Sequence, residues 1–365
     1  MIFSCNGSDL ADALSKVTQA LPQRKTSVIL EGIKIKAEDN EVTLTATDLS
    51  FTIIKKIKAD VKMSGEIIVP GKLFSEYTGK YRDGIVEISD IEENVKIKYL
   101  DNTTSLKTLN LNEYPVIKEY EFEYKITVKQ KDFKDLILKT VFASSMNDEN
   151  RPVLKGCLIK VDGDEIKSVA LDGFRMAILN KKLNDSLPPK EMNVPSKDLI
   201  RICKLLENDE ETVDLCFANK RLIVDLNDIK TISTPIEGFV RYESSIPRDY
   251  ETEITVNTTL LKNALDRVSI LSRYEKSNLV KLEVKNNTLV LFANSEMGDS
   301  SESISVISKG KDLTIGYNAK YIADCLDKID DDYIIIKMNY NSPTIITAVE
   351  NSEYLYLILP VRYHW

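Results

Sequence analysis

The chain has 365 residues, 43% of them hydrophobic and 29% charged, a balance suited to two or three domains with ordinary cores. Its formal net charge of −8 argues against a general nucleic-acid binder unless the basic residues are segregated. The first residues carry no basic segment followed by an apolar one, no run approaches membrane-spanning length, and five scattered cysteines lack any C-x-x-C pair; a cytosolic protein with buried free thiols is expected.

Taken in order, the chain opens with an extended start at Phe3 and Cys5, then Leu10, Ala13, Leu14 and Val17 at helical spacing. This predicts a helix over Ser8–Gln19 with Ser8 as N-cap. Gly32-Ile33-Lys34-Ile35-Lys36 and Glu41-Val42-Thr43-Leu44-Thr45 alternate with period two and read as antiparallel strands around an Asp39-Asn40 turn. Pro70 precedes a helix over Gly71–Tyr81, and Val95-Lys96-Ile97-Lys98 is a further half-buried strand.

After a charged linker near Tyr120–Lys125, Ile126 and Val128 lead into Phe133, Leu136 and Ile137, predicting a helix over Lys131–Ala143. Asp162-Gly163-Asp164 reads as a hairpin turn, and Pro195 precedes a helix over Ser196–Leu206. A second linker falls near Arg248–Glu253. Ile254 and Val256 then introduce Leu261, Ala264, Leu265 and Val268 in a helix over Thr258–Ser272, with Thr258 as N-cap. Asn286-Asn287 turns into the strand Thr288–Phe292, and a last helix is expected over Asn318–Lys328. The closing run Tyr354-Leu355-Tyr356-Leu357-Ile358-Leu359-Pro360-Val361-Arg362 reads as a buried strand that Pro360 ends or places at an edge, where a peptide would add.

These elements repeat. The extended start and amphipathic run recur three times at intervals of about 125 residues, and so does a second phrase: Val69-Pro70-Gly71-Lys72, Val194-Pro195-Ser196-Lys197 and Ile315-Gly316-Tyr317-Asn318. A period that long marks a duplicated domain rather than a solenoid motif. The fold class expected is α+β, three tandem similar domains at residues 1–122, 123–250 and 251–365, each with two helices packed on antiparallel sheets.

Catalysis finds little support. The sole histidine is the penultimate residue, and no Walker loop, G-x-G-x-x-G or H-E-x-x-H is present, so no enzyme, cofactor or metal site is expected. Acid clusters such as Asp330-Asp331-Asp332 and Asp209-Glu210-Glu211 read as solvated turns. The helices carry more signal. Lys197, Arg201 and Lys204 share one face opposite Leu199, Ile202 and Leu206, and the other helices carry Lys72 and Lys80, Lys131, Lys134 and Lys139, Lys262 and Arg267, and Lys320 and Lys328. Acids interrupt these faces at Glu76, Asp135, Asp266 and Asp324. The faces are either ordinary solvated surface or, if all lie on one side of a curved assembly, a phosphate-facing surface.

At several of these residues the chain resembles the bacterial DNA polymerase III β subunit, the sliding clamp. Arg151-Pro152-Val153-Leu154-Lys155-Gly156 with Leu171-Asp172-Gly173-Phe174-Arg175-Met176-Ala177 is similar to the family's middle-domain signature. Leu357-Ile358-Leu359-Pro360-Val361-Arg362 is similar to its terminal one, and Thr45-Ala46-Thr47-Asp48-Leu49 to its first-domain counterpart. The resemblance covers essentially the whole chain. It implies the DNA clamp fold, a head-to-tail homodimeric ring around double-stranded DNA with helices inside, and a processivity function without sequence reading. The implied partners are the replicative polymerase catalytic subunit, the clamp loader, and repair and translesion proteins with clamp-binding peptides.

Carried over residue by residue, the resemblance places Arg24, Lys72, Lys80, Lys134, Lys139, Lys197, Arg201, Lys204, Lys262 and Arg267 toward DNA. It implies a peptide pocket of Leu154, Leu171, Gly173, Phe174, Arg175, Met176, Pro343, Leu357, Leu359, Pro360 and Val361, with Arg175 orienting the peptide. The ring joint would use Leu106 and Leu109 against Ile270 and Leu271, with Lys96, Lys98 and Lys107 meeting Glu296, Asp299 and Glu302. Two departures stand out: Phe239-Val240-Arg241-Tyr242 lacks the family's proline after Gly238, and the tail Tyr363-His364-Trp365 would cover or extend the pocket. The competing readings are a β-rich peptide-binding adaptor that does not encircle DNA and a hydrolase built on clustered carboxylates.

Overall fold

The computed structural model describes residues 1–24, 27–118, 124–218, 220–274, 277–349 and 353–362; Lys25, most of the first linker and the tail Tyr363-His364-Trp365 lie outside them. Two compact units are distinguished. The first comprises Met1–Lys131 and Arg201–Pro235, the second Asp132–Ile200 and Ile236–Trp365, so the middle third of the chain contributes to both.

Sheet continuity explains this sharing. In the first unit an eight-stranded sheet pairs Ile229–Ser233 with Phe51–Lys58, residue Ile232 opposite Thr52. In the second a seven-stranded sheet pairs Arg175–Pro195 with Tyr354–Ile358, Met176 opposite Leu357. Strands distant in sequence thus satisfy each other's backbone groups. A five-stranded sheet in the first unit ends at the edge strand Asn102–Lys107, and a four-stranded sheet in the second ends at Gly298–Ser305.

Six α-helices occur among the described residues: α1 (Gly7–Val17), α2 (Gly71–Thr78), α3 (Gln130–Leu138), α4 (Ser196–Cys203), α5 (Thr258–Ser272) and α6 (Ala319–Leu326). Helix α1 buries Leu10, Ala13, Leu14 and Val17 against the strand Phe51–Lys58 and α2, while α5 packs on Thr288–Ser295, Gly298–Ser305 and α6. Each wholly buried leucine contributes about 1.5–3 kcal/mol.

The N-caps differ from expectation. Asn6, not Ser8, caps α1 by accepting the Ser8 N–H at 2.9 Å, and Asn257, not Thr258, caps α5 by accepting the Leu260 N–H at 2.9 Å. Each asparagine ends the preceding strand with extended backbone, so its carbonyl faces the free N–H groups of the first turn. Helices α2, α3 and α4 also stop about one turn early. Gly79 closes α2 with its N–H on the Ser75 carbonyl, and the apolar residues after α3 continue as a 3-10 turn, Val141–Ala143.

Asp39-Asn40 and Asn286-Asn287 turn with positive φ at both residues, as the hairpins require. Asp162-Gly163-Asp164 instead lies inside the continuous strand Gly156–Leu171, where Gly163 (φ 61) shifts the register against Arg175–Pro195. The last strand, Tyr354–Ile358, is central, between Arg175–Pro195 and Thr344–Ala348, so it offers no edge for a peptide. Its two-sided apolar pattern follows from that position. All five cysteines are buried and free.

Candidate functional sites

In the second unit, strand register assembles a mostly buried apolar cluster whose half-buried margin, Leu171, Leu355 and Leu359, forms the candidate cleft. Leu171 pairs with Met176, Met176 with Leu357, and Leu357 with Ile345, a row crossing four adjacent strands; Val169, Ile178 and Leu355 form the next row on the same face. Phe239, Tyr242 and Ile246 pack on this cluster, as does Leu359. Phe239 and Tyr242 meet edge to face at 6.2 Å, so the segment lacking the family's proline still builds a wall. Its anchor is Asn193, whose Nδ2 donates to the Gly238 and Val153 carbonyls at 2.9 Å each.

A tight turn flanks the cleft. Asp172 accepts the Phe174 N–H at 2.8 Å and the Arg175 N–H at 3.0 Å, while Gly173 takes φ 93, a conformation that favours glycine. This turn presents Phe174, 56% exposed and stacked on Tyr321, and ties its carbonyl to the Leu359 N–H at 2.8 Å.

Arg175, expected from sequence to orient a peptide, is held by partners within the unit. It is 9% exposed and donates to Asp172 at 3.0 Å, Asp324 at 2.5 Å and the Phe142 carbonyl at 2.9 Å, with its guanidinium 4.5 Å from the Tyr321 ring centre. Burial opposes its charge, but the Asp324 hydrogen bond and the nearby anionic groups outweigh that and raise its pKa. Of the remaining pocket residues, Leu154 is buried in the 3-10 turn Pro152–Lys155, and Pro343, Pro360 and Val361 are half-buried outside the apolar cluster. Sequence reasoning missed Ile345, Val169 and Ile178, whose alternation was visible but whose neighbours were not. It also missed the role of Asp324, which it read only as an interruption of a basic face.

The basic residues separate into two groups. Arg24, Lys72, Lys80, Lys197 and Lys204 are exposed and have no ion pair among the described residues, and Lys134 is half-buried in α3. Three others hold ion pairs. Lys139 pairs with Asp330 at 2.8 Å, Lys262 with Asp327, and Arg267 holds Glu302 with two bonds of 2.7 and 3.0 Å. The last pair lowers the Glu302 pKa through the Arg267 hydrogen bond and occupies an acid assigned to the ring joint.

Among the residues expected to face DNA, Arg201 alone is buried. It is 9% exposed, pairs with Asp48 at 2.9 Å and lies 5.2 Å from the Phe51 ring centre. Asp48 also accepts from the Ser50 and Phe51 N–H groups at 3.0 and 2.8 Å, holding a turn in which Leu49 takes φ 75. Burial opposes the Asp48 charge, but the bonds from Ser50, Arg201 and Phe51 outweigh it and lower the pKa. The helical period places Arg201 on the Lys197 side, but a carboxylate remote in sequence draws it inward.

At the expected joint, Leu106 is half-buried on the edge strand Asn102–Lys107, and Leu109 is half-buried with its N–H on the Ile68 carbonyl at 2.8 Å. Ile270 is 56% exposed at the end of α5, beside half-buried Leu271. Lys96, Lys98, Lys107, Glu296 and Asp299 are exposed. No cluster of three or more His, Cys, Asp or Glu suited to a metal occurs among the described residues, and no helix there is long and apolar enough to cross a membrane.

Three family models match in tandem: the N-terminal domain of the DNA polymerase III beta subunit over residues 1–118, its central domain over 127–240, and its C-terminal domain over 243–362. The chain belongs to the DNA polymerase III beta subunit family. A beta sliding clamp of Vibrio cholerae is 28% identical over 367 residues, covering 99% of this chain and 100% of the relative. The solved sliding clamp of Bacillus subtilis is 30% identical with a TM-score of 0.95, and that of Pseudomonas aeruginosa bound to griselimycin is 25% identical with a TM-score of 0.94. Each covers 100% of both chains. The chain is accordingly a non-catalytic processivity factor rather than an enzyme.

Proposed function

We propose that two copies of this chain close head to tail around duplex DNA and tether the replicative polymerase, the clamp loader and repair or translesion proteins through the cleft of the second unit. The observation that supports the tethering is the half-buried apolar margin of Leu171, Leu355 and Leu359 beside the buried row Met176, Leu357 and Ile345, edged by exposed Phe174. A few aliphatic or aromatic anchors at about 1.5–3 kcal/mol each, less the cost of association, support micromolar binding.

The residues that support a DNA-facing role are Arg24, Lys72, Lys80, Lys134, Lys197 and Lys204; contacts of such cations to phosphate are independent of sequence and permit sliding. A closed ring needs only modest attraction, which reconciles DNA encirclement with the net charge of −8. The joint pairs the open edge Asn102–Lys107 of one copy with Gly298–Ser305 of the next, near Leu106, Ile270 and Leu271. Three domains at residues 1–122, 123–250 and 251–365 supply the approximate sixfold repeat of the ring, and the protein works in the cytoplasm.

The test is retention on nicked circular DNA after loading by a cognate loader, followed by linearisation. Release on linearisation is the expected result. No retention with a proven loader would replace the ring with a peptide-binding adaptor that does not encircle DNA.

A further inference from the structure

The first unit carries a groove of about 900 Å³ on one face of its eight-stranded sheet, with none of its lining residues in the second unit. That volume lies within the range of ligand-binding clefts. Its construction repeats the cleft with different chemistry. A row runs across the strands from Lys34 to Thr45, Ile54 and Lys230, as Leu171, Met176, Leu357 and Ile345 do in the second unit. A 3-10 turn stands beside each: Leu111–Glu113 leading to Tyr114-Pro115, and Glu243–Ser245 leading to Ile246-Pro247. The turn held by Asp48 matches the one held by Asp172, with the next residue at positive φ in both.

The segment that walls this groove is pinned. Tyr114 is buried and donates its hydroxyl to the Thr45 carbonyl at 3.0 Å, leaving Pro115 half-buried and Val116 88% exposed above the sheet. The floor at one end is aliphatic, with Ile54, Ile223 and Ile232 packed as one cluster. The other end is basic. Lys36 and Lys56 flank Thr43 in the next row, and the whole groove presents five lysines against Glu66 and Asp228.

We propose that this groove is a second docking surface, for a partner peptide that carries an acidic stretch beside aliphatic anchors. Charge complementarity selects the acids, and half-buried Ile54 with exposed Val116 selects the anchors. Four of the five lysines already hold surface partners: Lys34 with Glu66 at 2.7 Å, Lys36 with Glu38, Lys56 with Glu41 at 2.7 Å and Lys230 with Asp225 at 3.2 Å. Exposed pairs of this kind contribute little, so an incoming carboxylate exchanges with them at small cost. The groove therefore adds a selectivity for acids that the apolar cleft, whose single arginine is internally neutralised, lacks.

The test uses the full chain and a fluorescein-labelled peptide of four acidic residues followed by Leu-Ile-Leu, read by anisotropy and by isoleucine methyl shifts. Saturable binding that weakens at least about tenfold in Lys56→Glu/Lys230→Glu, weakens with salt, persists in Phe174→Ala and shifts the methyls of Ile54, Ile223 and Ile232 is expected. Absence of saturable binding up to millimolar peptide would overturn the proposal. So would binding lost in Phe174→Ala but kept in the lysine variant, which would place the peptide in the cleft.

Discussion

Replacing Arg175 by alanine tests whether the cleft depends on an internal latch rather than on a peptide-facing arginine. The side chain holds two carboxylates and one carbonyl while stacked on Tyr321, and its removal leaves Asp172 and Asp324 without their shared cation. Breaking a buried pair costs about 3–5 kcal/mol. The lower end applies here, because Asp324 is 24% exposed and keeps Lys320 at 3.0 Å, while Asp172 keeps two backbone N–H donors. A loss of about 3 kcal/mol lowers Tm by roughly 6–12 °C for a unit of this size. Circular dichroism melts measure it, and anisotropy with a Gln-Leu-containing clamp peptide measures the cleft. Arg175→Ala should weaken the peptide by releasing the turn that positions Phe174. Arg175→Lys should recover only part of the stability, because a point charge cannot hold both carboxylates and the carbonyl in one plane. A melt within about 2 °C of the parent would refute the latch, and normal stability with lost peptide binding would restore the peptide-facing arginine.

Phe174→Ala, at an exposed site, should leave the melt nearly unchanged yet weaken the same peptide by about 5–30-fold, the signature of an anchor rather than a core residue. Asp48→Asn should destabilise the first unit at neutral pH. The Asp48 pKa is lowered on folding, so its contribution is full above the unfolded value and disappears as pH falls through the folded one; in urea titrations the gap between parent and variant should close below about pH 4. Lys72→Glu with Lys197→Glu should shorten retention on circular DNA and flatten its salt dependence, whereas Arg201→Ala should act on stability. Ile270→Ala with Leu271→Ala should weaken dimerisation in sedimentation; an unchanged dimer would exclude that joint.

The strands and helices were legible because their signals are local. Gly32-Ile33-Lys34-Ile35-Lys36 shows its buried and exposed faces by alternation alone, and the Thr258–Ser272 helix has the bounds its apolar spacing implied. The caps were misplaced by one or two residues, because asparagine and the neighbouring serine or threonine compete for the same N–H groups and only the strand end decides between them. The internal repeat was legible for a different reason: duplicated domains keep their core types in order even where surface residues have diverged.

What the sequence by itself determined is therefore the α+β class, the threefold repeat and the family. Tertiary structure decided which cations and apolar residues are buried or paired within the chain. Arg201 and Lys197 share a helical side, but only pairing across 153 positions brings Asp48 to Arg201 and takes that charge from the surface. Likewise, Tyr354–Ile358 becomes a central strand because Arg175–Pro195 and Thr344–Ala348 claim both its edges. Periodicity reports the face of one element, whereas partners remote in the chain determine whether that face meets water, protein or ligand.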